Sequence, residues 1–207
     1  MDTLQIIEAI KNKNDKNLNL RRVDLYGADL SGLDLSGVDL YRANLAYANL
    51  SRAVLVKTNL ANANLIGANL SNTHIQNANL SKANMKGVDL SYSSLSCTYL
   101  PCVNLSKANL YFTKIRNSNL SWTSLIDSKL IFSNLINTNL VWADLSGANL
   151  GHANLTEANL RNAILRGASL HRTNLRGAVM FESTLHKADL TETSIDEINF
   201  VDVLDGF

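Results

Sequence analysis

The chain has 207 residues but only one proline, Pro101, and two cysteines, Cys97 and Cys102. Two cysteines in a chain of this length favour a reducing compartment over a disulfide framework. No third or fourth ligand accompanies them at metal-binding spacing, so the sequence predicts no zinc site and no cofactor. We therefore expect a cytoplasmic protein.

The chain also lacks an excess of one charge and a long hydrophobic run. Its 19 Lys and Arg residues nearly balance its 18 Asp and Glu residues, so net charge alone indicates neither nucleic acid nor another charged partner. The N-terminal stretch carries Asp2 and no basic segment, and Gln5 and Glu8 interrupt its apolar positions. We expect neither a signal peptide nor a membrane-spanning segment.

What the chain has instead is a large apolar residue at every fifth position. The stretch ADLSGLDLSGVDLYRANLAYANL, from Ala28 to Leu50, shows this spacing. On a helix such residues would scatter over every face, and on a flat strand they would alternate between faces. A corner must therefore follow each leucine. From Leu20 to Phe200 the position holds leucine with six exceptions, all large and apolar: Ile75, Met85, Ile115, Met180, Ile195 and Phe200.

The residues around each leucine predict how this corner is made. A small residue such as Ala43 stands two positions earlier, on the same side of an extended segment as Leu45, so both point inward. Asn or Asp, as at Asn44, lies between them and points outward, where its side chain can bond the backbone of a turn. Ser-Gly or other polar pairs often follow the leucine and are typical of turns.

The units ANLSK, ADLSG, ANLRN and ANLTE resemble those of the pentapeptide-repeat protein family. This resemblance implies an all-β solenoid, the right-handed quadrilateral β-helix, in which four pentapeptides close one coil of twenty residues. Residues 17–200 would then form about nine coils, in a rod about 43 Å long at roughly 4.8 Å per coil.

Both ends of such a rod need a cap. Leu4, Ile6, Ile7, Ala9 and Ile10 have near-helical spacing, so we predict an amphipathic capping helix over about residues 3–13, within an N-terminal segment 1–16. The C-terminal segment 201–207 continues the apolar character of Phe200 and is otherwise acidic. It could fold back as a lid or pair with a second copy, as the quinolone-resistance members of the family do.

No motif of an active site interrupts the repeat. The chain has no phosphate-binding loop, nucleophile elbow or paired-carboxylate site, and a rod without inserted loops offers no obvious cleft. We predict that the protein is not an enzyme. Its four histidines form no HExxH motif and are expected to be solvated surface residues: His74, His152, His171 and His186.

The resemblance suggests one specific function, that of a DNA mimic. The quinolone-resistance members bind DNA gyrase or topoisomerase in place of DNA. Asp24, Asp29, Asp34 and Asp39 put one carboxylate on each side of the first coil. Residues 41–140, however, contain two acidic residues against nine Lys and Arg, so the middle of the rod is a poor substitute for a polyanion. We keep this function as the disfavoured alternative.

The cations do not make a nucleic-acid surface either. Residues that are twenty apart would stack, and this register disperses the Lys and Arg residues over all four sides. A nucleic-acid-binding face clusters its charge.

The same register gathers aromatic residues into two columns on opposite sides of the rod. One column contains Tyr92, Phe112 and Phe132, and the other contains Trp122 and Trp142. Further outward aromatic or aliphatic residues in these coils are expected to join them: Tyr99, Tyr111, Ile126, Ile131, Ile136 and Val141.

The two columns have two possible roles. They could stabilise neighbouring coils as ladders, or they could form a contact surface for another protein. We predict a non-enzymatic scaffold that binds a protein partner through these coils, with a homodimer through them or through the C-terminal segment as a possible form.

Overall fold

The computed structural model describes residues 3–12 and 19–198. The first range forms α1 (Thr3–Asn12), and the second winds as a right-handed quadrilateral β-helix of nine twenty-residue coils. Its sides are single bridging residues rather than longer strands, each paired in parallel with the residue twenty positions away, from Asn19 with Asp39 to Asn174 with Ser194. The predicted C-terminal segment 201–207 lies outside the described residues.

Almost every backbone N–H of a coil has a defined acceptor. In one unit, Leu50 N–H donates to Asn69 O of the next coil at 2.7 Å, and Asn49 N–H donates to Ala28 O of the preceding coil at 2.9 Å. Stacking of the coils leaves one backbone N–H in each unit without a backbone acceptor, that of the residue after the leucine. The side chain of the residue before the leucine accepts a hydrogen bond from this N–H, as when Ser51 N–H donates to Asn49 Oδ1 at 3.1 Å. The predicted role of Asn and Asp at the turns is confirmed.

Each corner is a four-residue turn with the φ signs of a type II β-turn. In the turn that begins at Leu25, Ala28 N–H donates to Leu25 O at 3.1 Å, and Gly27 in the third position has a φ of +63°. The same position is left-handed in every described unit, and it is occupied by bulky residues as well as glycine: Trp122 has a φ of +60°.

The core is a column of leucines along the axis. The predicted inward positions are all buried from Leu20 to Leu185, including Ile75, Met85, Ile115 and Met180. In the last described coil Leu190 is only partly buried, and Ile195 has 46% of its surface exposed. The predicted Phe200 lies outside the described residues.

The small positions beside the leucines hold alanine in most coils and serine or threonine in the middle of the rod. These buried hydroxyls donate to leucine carbonyls, as Thr113 Oγ1 does to Leu90 O at 2.8 Å and Ser133 Oγ does to Leu130 O at 2.6 Å. Among the described residues no buried side-chain nitrogen or oxygen lacks a hydrogen-bond partner.

The helix α1 covers the N-terminal end of this core, as predicted. Ile6 and Ile10 are buried in the same apolar cluster as Leu20. The helical spacing predicts Leu4 on this face too, but Leu4 is 75% exposed, because it lies on the side of α1 that is turned away from the cluster. In the described part of the chain, no helix has the length and apolar character needed to cross a bilayer.

Candidate functional site

The structure stacks the first predicted group of aromatic residues along one corner of the rod. We call Tyr92, Phe112, Phe132 and His152 the phenylalanine column. Each holds the left-handed third position of its turn, and the rings lie nearly parallel. The ring centroids are 5.7 Å apart from Tyr92 to Phe112, 4.9 Å from Phe112 to Phe132, and 4.7 Å from Phe132 to His152.

Tyr111 packs against this column edge-on. Its ring centroid lies 4.7 Å from that of Phe112 and 5.6 Å from that of Tyr92. The faces of the rings are therefore largely covered by one another, while their edges point to solvent. Phe112 and Phe132 still expose 44% and 41% of their surface.

The second predicted group forms the tryptophan column, Trp122 and Trp142, at the opposite corner. The two indole rings stack with centroids 5.1 Å apart and an interplanar angle of 11°. Stacking covers less of this pair, since Trp122 remains 59% exposed and Trp142 48% exposed. Tyr99 and Val141 lie beside this column, as expected.

Two of the expected neighbours do not join either column. Ile126 and Ile136 follow the leucines of the two remaining corners, because their positions in the twenty-residue register differ from those of both columns by about a quarter of a coil. The sequence places them in the same coils but not on the same corners.

A third aromatic contact is one that the sequence reasoning missed. Tyr26 and Tyr47 meet edge-on near the N-terminal end, with ring centroids 5.6 Å apart. The Tyr47 ring lies over Gly67, where a Cβ atom would come within 2.7 Å of the ring. The twenty-residue register aligns Gly27, Tyr47 and Gly67 on one corner, but it does not fix the rotamers that bring the two tyrosine rings together.

An open groove lies on the same corner as the phenylalanine column, closer to the N-terminus. We call it the serine groove; its volume is about 360 Å³. Arg52 is the one charged residue of its lining, which is otherwise polar and uncharged: Ser31, Gly32, Ser51, Asn69, Ser71 and Asn72. Asn72 occupies the corner position one coil before Tyr92, so the groove leads to the column.

Two lysines flank the rings of the phenylalanine column. Lys114 and Lys129 hold exposed bridging positions on the two sides of this corner, paired with Asn134 and with Asn109 respectively. Neither lysine, nor Arg52, makes an ion pair with another described residue.

The acidic residues concentrate at the ends of the rod. The Ser31 hydroxyl and N–H, which donate to the Asp29 carboxylate, hold its pKa below the ordinary value. Burial acts to raise the pKa of Asp39, but hydrogen bonds from Arg21 and from Tyr41 N–H outweigh it and lower the pKa. At the other end the guanidinium of Arg172, 2.6 Å from Glu192, lowers the pKa of that carboxyl.

The polar residues that could carry chemistry do not assemble. No three His, Cys, Asp or Glu side chains within residues 3–12 and 19–198 are placed to hold a metal ion. Cys97 and Cys102 are free and exposed. His171 Nδ1 lies 2.8 Å from Thr191 Oγ1, and its ring meets that of His152 edge-on at 5.9 Å.

Comparison with protein families gives one match. The family model described as pentapeptide repeats matches eight copies, in segments spanning residues 19–55, 53–91, 68–101, 104–140, 143–180 and 165–196. A search of curated protein sequences finds no match.

Two solved structures illustrate the likeness in fold. HetL from the cyanobacterium Nostoc sp. strain PCC 7120 is 28% identical, with a TM-score of 0.50 over 96% of this chain and 94% of HetL. A trypsin-treated form of QnrB1, a plasmid-mediated fluoroquinolone resistance protein, is 22% identical, with a TM-score of 0.50 over 71% of this chain and 76% of that one. At this identity the second likeness concerns the fold alone.

Proposed function

The chain belongs to the pentapeptide-repeat family, and from this premise we propose that it is a non-enzymatic scaffold that binds a partner protein through its aromatic coils. The family supports a structural or binding role rather than catalysis. The proposal concerns residues 92–142, where both aromatic columns lie.

One observation carries the proposal: the rings in these coils stay exposed although they stack. The five predicted rings expose between 41% and 59% of their surface. Most other corner positions hold polar, charged or glycine residues. A partner that covers such a surface gains about 25 cal/mol for each Å² of apolar area removed from water. A contiguous group of this kind is typical of a protein interface.

The similarity to HetL is consistent with this role. HetL is a protein involved in the regulation of heterocyst differentiation. By analogy, we propose a regulatory or assembly role based on binding, with either another protein or a second copy of this chain as the partner. The C-terminal segment 201–207, outside the described residues, remains a second possible dimer contact. We also propose a cytoplasmic location, with which two free cysteines are consistent.

The experiment that tests the proposal removes each column separately. The variants are Phe112→Ser with Phe132→Ser, and Trp122→Ser with Trp142→Ser. Partner capture from the native host and self-association by analytical ultracentrifugation are compared with those of the parent. We expect at least one pair to weaken capture or association while the β-type circular dichroism stays intact. If both pairs bind and associate like the parent but melt earlier, the columns are ladders and the proposal fails.

The alternative function is a gyrase-binding DNA mimic. It is favoured by the four aspartates of the first coil, Asp24, Asp29, Asp34 and Asp39, which occupy bridging positions on its four sides. It is disfavoured by the excess of cations in residues 41–140. A gyrase supercoiling assay separates the two functions, because potent inhibition at sub-micromolar protein would favour the mimic over the scaffold.

A further inference from the structure

We propose that the serine groove and the phenylalanine column together form a docking track for an extended, acidic segment of a partner protein that also carries apolar side chains. This inference rests on the proposed function, since it assigns one of the two aromatic columns to the partner and states the partner's chemistry.

The groove and the column are continuous along one corner. Gly32, Arg52 and Asn72 of the groove and Tyr92 of the column occupy the same position in successive coils. From Gly32 to His152 the corner crosses six coil spacings, about 29 Å at roughly 4.8 Å each. An extended segment of about nine residues at ~3.3 Å per residue covers that length.

The charge of this corner favours carboxylates. Arg52 lines the groove, and Lys114 and Lys129 flank the rings. Asp29 and Asp34 hold the bridging positions on either side of Gly32, at the N-terminal end of the groove. Beyond them, on the described segments of this corner between residues 49 and 154, Asp89 is the one acidic residue. Its Oδ1 already accepts hydrogen bonds from Ser91 N–H at 2.9 Å and from the Asn109 amide at 3.0 Å. From Arg52 to His152 this corner therefore attracts a partner with Asp or Glu side chains and repels one with Lys or Arg side chains.

The stacking of the rings favours a polypeptide over a nucleic acid. Proteins that bind single strands offer free ring faces on which bases stack. In the phenylalanine column the faces are turned toward one another at 4.7–5.7 Å, and the free edges point outward. The exposed ring edges, together with the Tyr111 ring that packs against them, suit contact with aliphatic and aromatic side chains of a protein.

The tryptophan column lacks these features and provides a matched control. Between residues 99 and 144 the half-buried Asp144 is the one charged residue of this corner, and the nearest cations, Lys82 and Arg161, lie in the adjoining coils on either side. An acidic segment gains no ion pair between residues 99 and 144, and Asp144 would repel it.

Selection from a peptide library tests the track even though its partner is unidentified. A random dodecapeptide phage library is selected on the immobilised full-length protein, and the enriched peptides are synthesised with a fluorescent label. Their affinity is measured by fluorescence anisotropy for the parent, for Phe112→Ser with Phe132→Ser, and for Arg52→Glu. The control is Trp122→Ser with Trp142→Ser. Circular dichroism confirms that each variant keeps the β-type spectrum.

We expect the enriched peptides to contain more Asp and Glu than Lys and Arg, together with apolar residues. Their affinity is expected to fall about tenfold or more in the phenylalanine pair and about fivefold in Arg52→Glu, with less than about a twofold change in the control. Added salt should weaken binding of the parent.

Four results would overturn the inference: no enriched peptide, enriched peptides without an acidic excess, a loss of peptide affinity in the tryptophan variant rather than in the phenylalanine variant, or preferential binding of single-stranded oligothymidylate. Failure of the inference differs from failure of the proposed function. If partner capture depends on the tryptophan pair alone, the scaffold function stands and the acidic track is wrong. If neither pair affects capture or association, the scaffold function fails as well.

Discussion

At the scale of single residues, asparagine is frequent before the repeated leucine because one backbone N–H in each unit has no partner in the coils. Its side chain supplies the acceptor, as Asn69 Oδ1 does for Ser71 N–H at 3.0 Å. Pro101 fits the same logic. It occupies the position whose N–H needs the extra acceptor, and Tyr99 stands where Asn or Asp is usual. A residue without an N–H needs no such side chain.

This logic predicts a stabilising proline. Ser96 holds the position equivalent to Pro101, directly after Leu95. The residue before that leucine is Ser94 rather than Asn or Asp, and the Ser96 N–H donates to no other described residue. We expect Ser96→Pro to raise the free energy of unfolding by about 0.4–1 kcal/mol, because it restricts the unfolded chain without the loss of a bond. Urea unfolding measures the change.

The matched control for this change is Ser71→Pro. It removes the N–H that bonds Asn69, a hydrogen bond of about 0.5–1.5 kcal/mol, which offsets the gain from proline. An equal rise in stability for both variants would show that the side-chain acceptor contributes nothing.

The leucine column gives a larger effect. Leu130 is fully buried on the axis, and Leu130→Ala should leave a cavity and lower the free energy of unfolding by about 2–5 kcal/mol. Asn149→Ser is the outward control. It loses the bond from Gly151 N–H to Asn149 Oδ1, worth about 1 kcal/mol. Equal costs in chemical denaturation would mean that the five-residue register is wrong.

At the scale of elements, α1 acts as a cap through two residues. Ile6 and Ile10 bury their side chains against the first coil, whereas Leu4 does not. We expect Ile6→Ser with Ile10→Ser to lower local stability by about 2 kcal/mol or more, and to speed hydrogen exchange at Leu25 and Leu30 before it affects the middle coils. Leu4→Ser should leave exchange unchanged. Uniform loss of protection along the rod would contradict a local cap.

The end coils should also weaken in acid. The folded-state pKa values of Asp29 and Asp39 lie below the ordinary value of 3.8. Such groups stabilise the fold above that value, and the contribution is lost as the pH falls through the lower, folded-state pKa. Between about pH 5 and pH 3 we expect the first coil to lose exchange protection earlier than the middle coils. Asp29→Asn keeps the hydrogen-bond acceptor of the turn without the charge and should reduce this pH dependence. The same pH dependence in the parent and in the variant would contradict a role for the Asp29 carboxylate.

Most features of the coils, but not of their ends, could be predicted from the sequence. The coil register, the inward leucines and both aromatic columns were predictable because the five-residue period continues from Leu20 without an inserted loop. The exposure of Leu4 was not, because helical spacing alone does not say how far a helix face is covered. Nor was the Tyr26–Tyr47 pair, because a register places side chains on a corner but not their rotamers.

The sequence also did not predict that bulky residues adopt the left-handed conformation at the turns. Type II turns favour glycine or asparagine there, yet Phe112 has a φ of +52° and Trp142 a φ of +60°. Side chains in this conformation cost of order 1 kcal/mol or more each. The hydrogen bonds between coils hold the backbone regardless of the residue, so the corners can carry aromatic rings outward.

At the scale of the whole molecule, charge and apolar surface are distributed unequally along the rod. Acidic residues concentrate in the first coil and in the last, while the middle coils combine cations with both aromatic columns. Ring stacking stabilises neighbouring coils, but it leaves about half of each indole and over two-fifths of Phe112 and Phe132 in contact with water. This distribution makes the middle of the rod the part most suited to a partner.

Photo-crosslinking in the cells of the native host tests this claim most directly. Benzoylphenylalanine replaces Phe112 or Trp122 in the two columns, or Lys57 or Glu157 at a third corner, where both side chains are exposed. The benzophenone group resembles the rings that it replaces, and it forms adducts only with groups in contact. We expect an adduct of defined mass from position 112 or 122 and none from positions 57 and 157. No adduct from either aromatic column, or equal yields at all four positions, would contradict it.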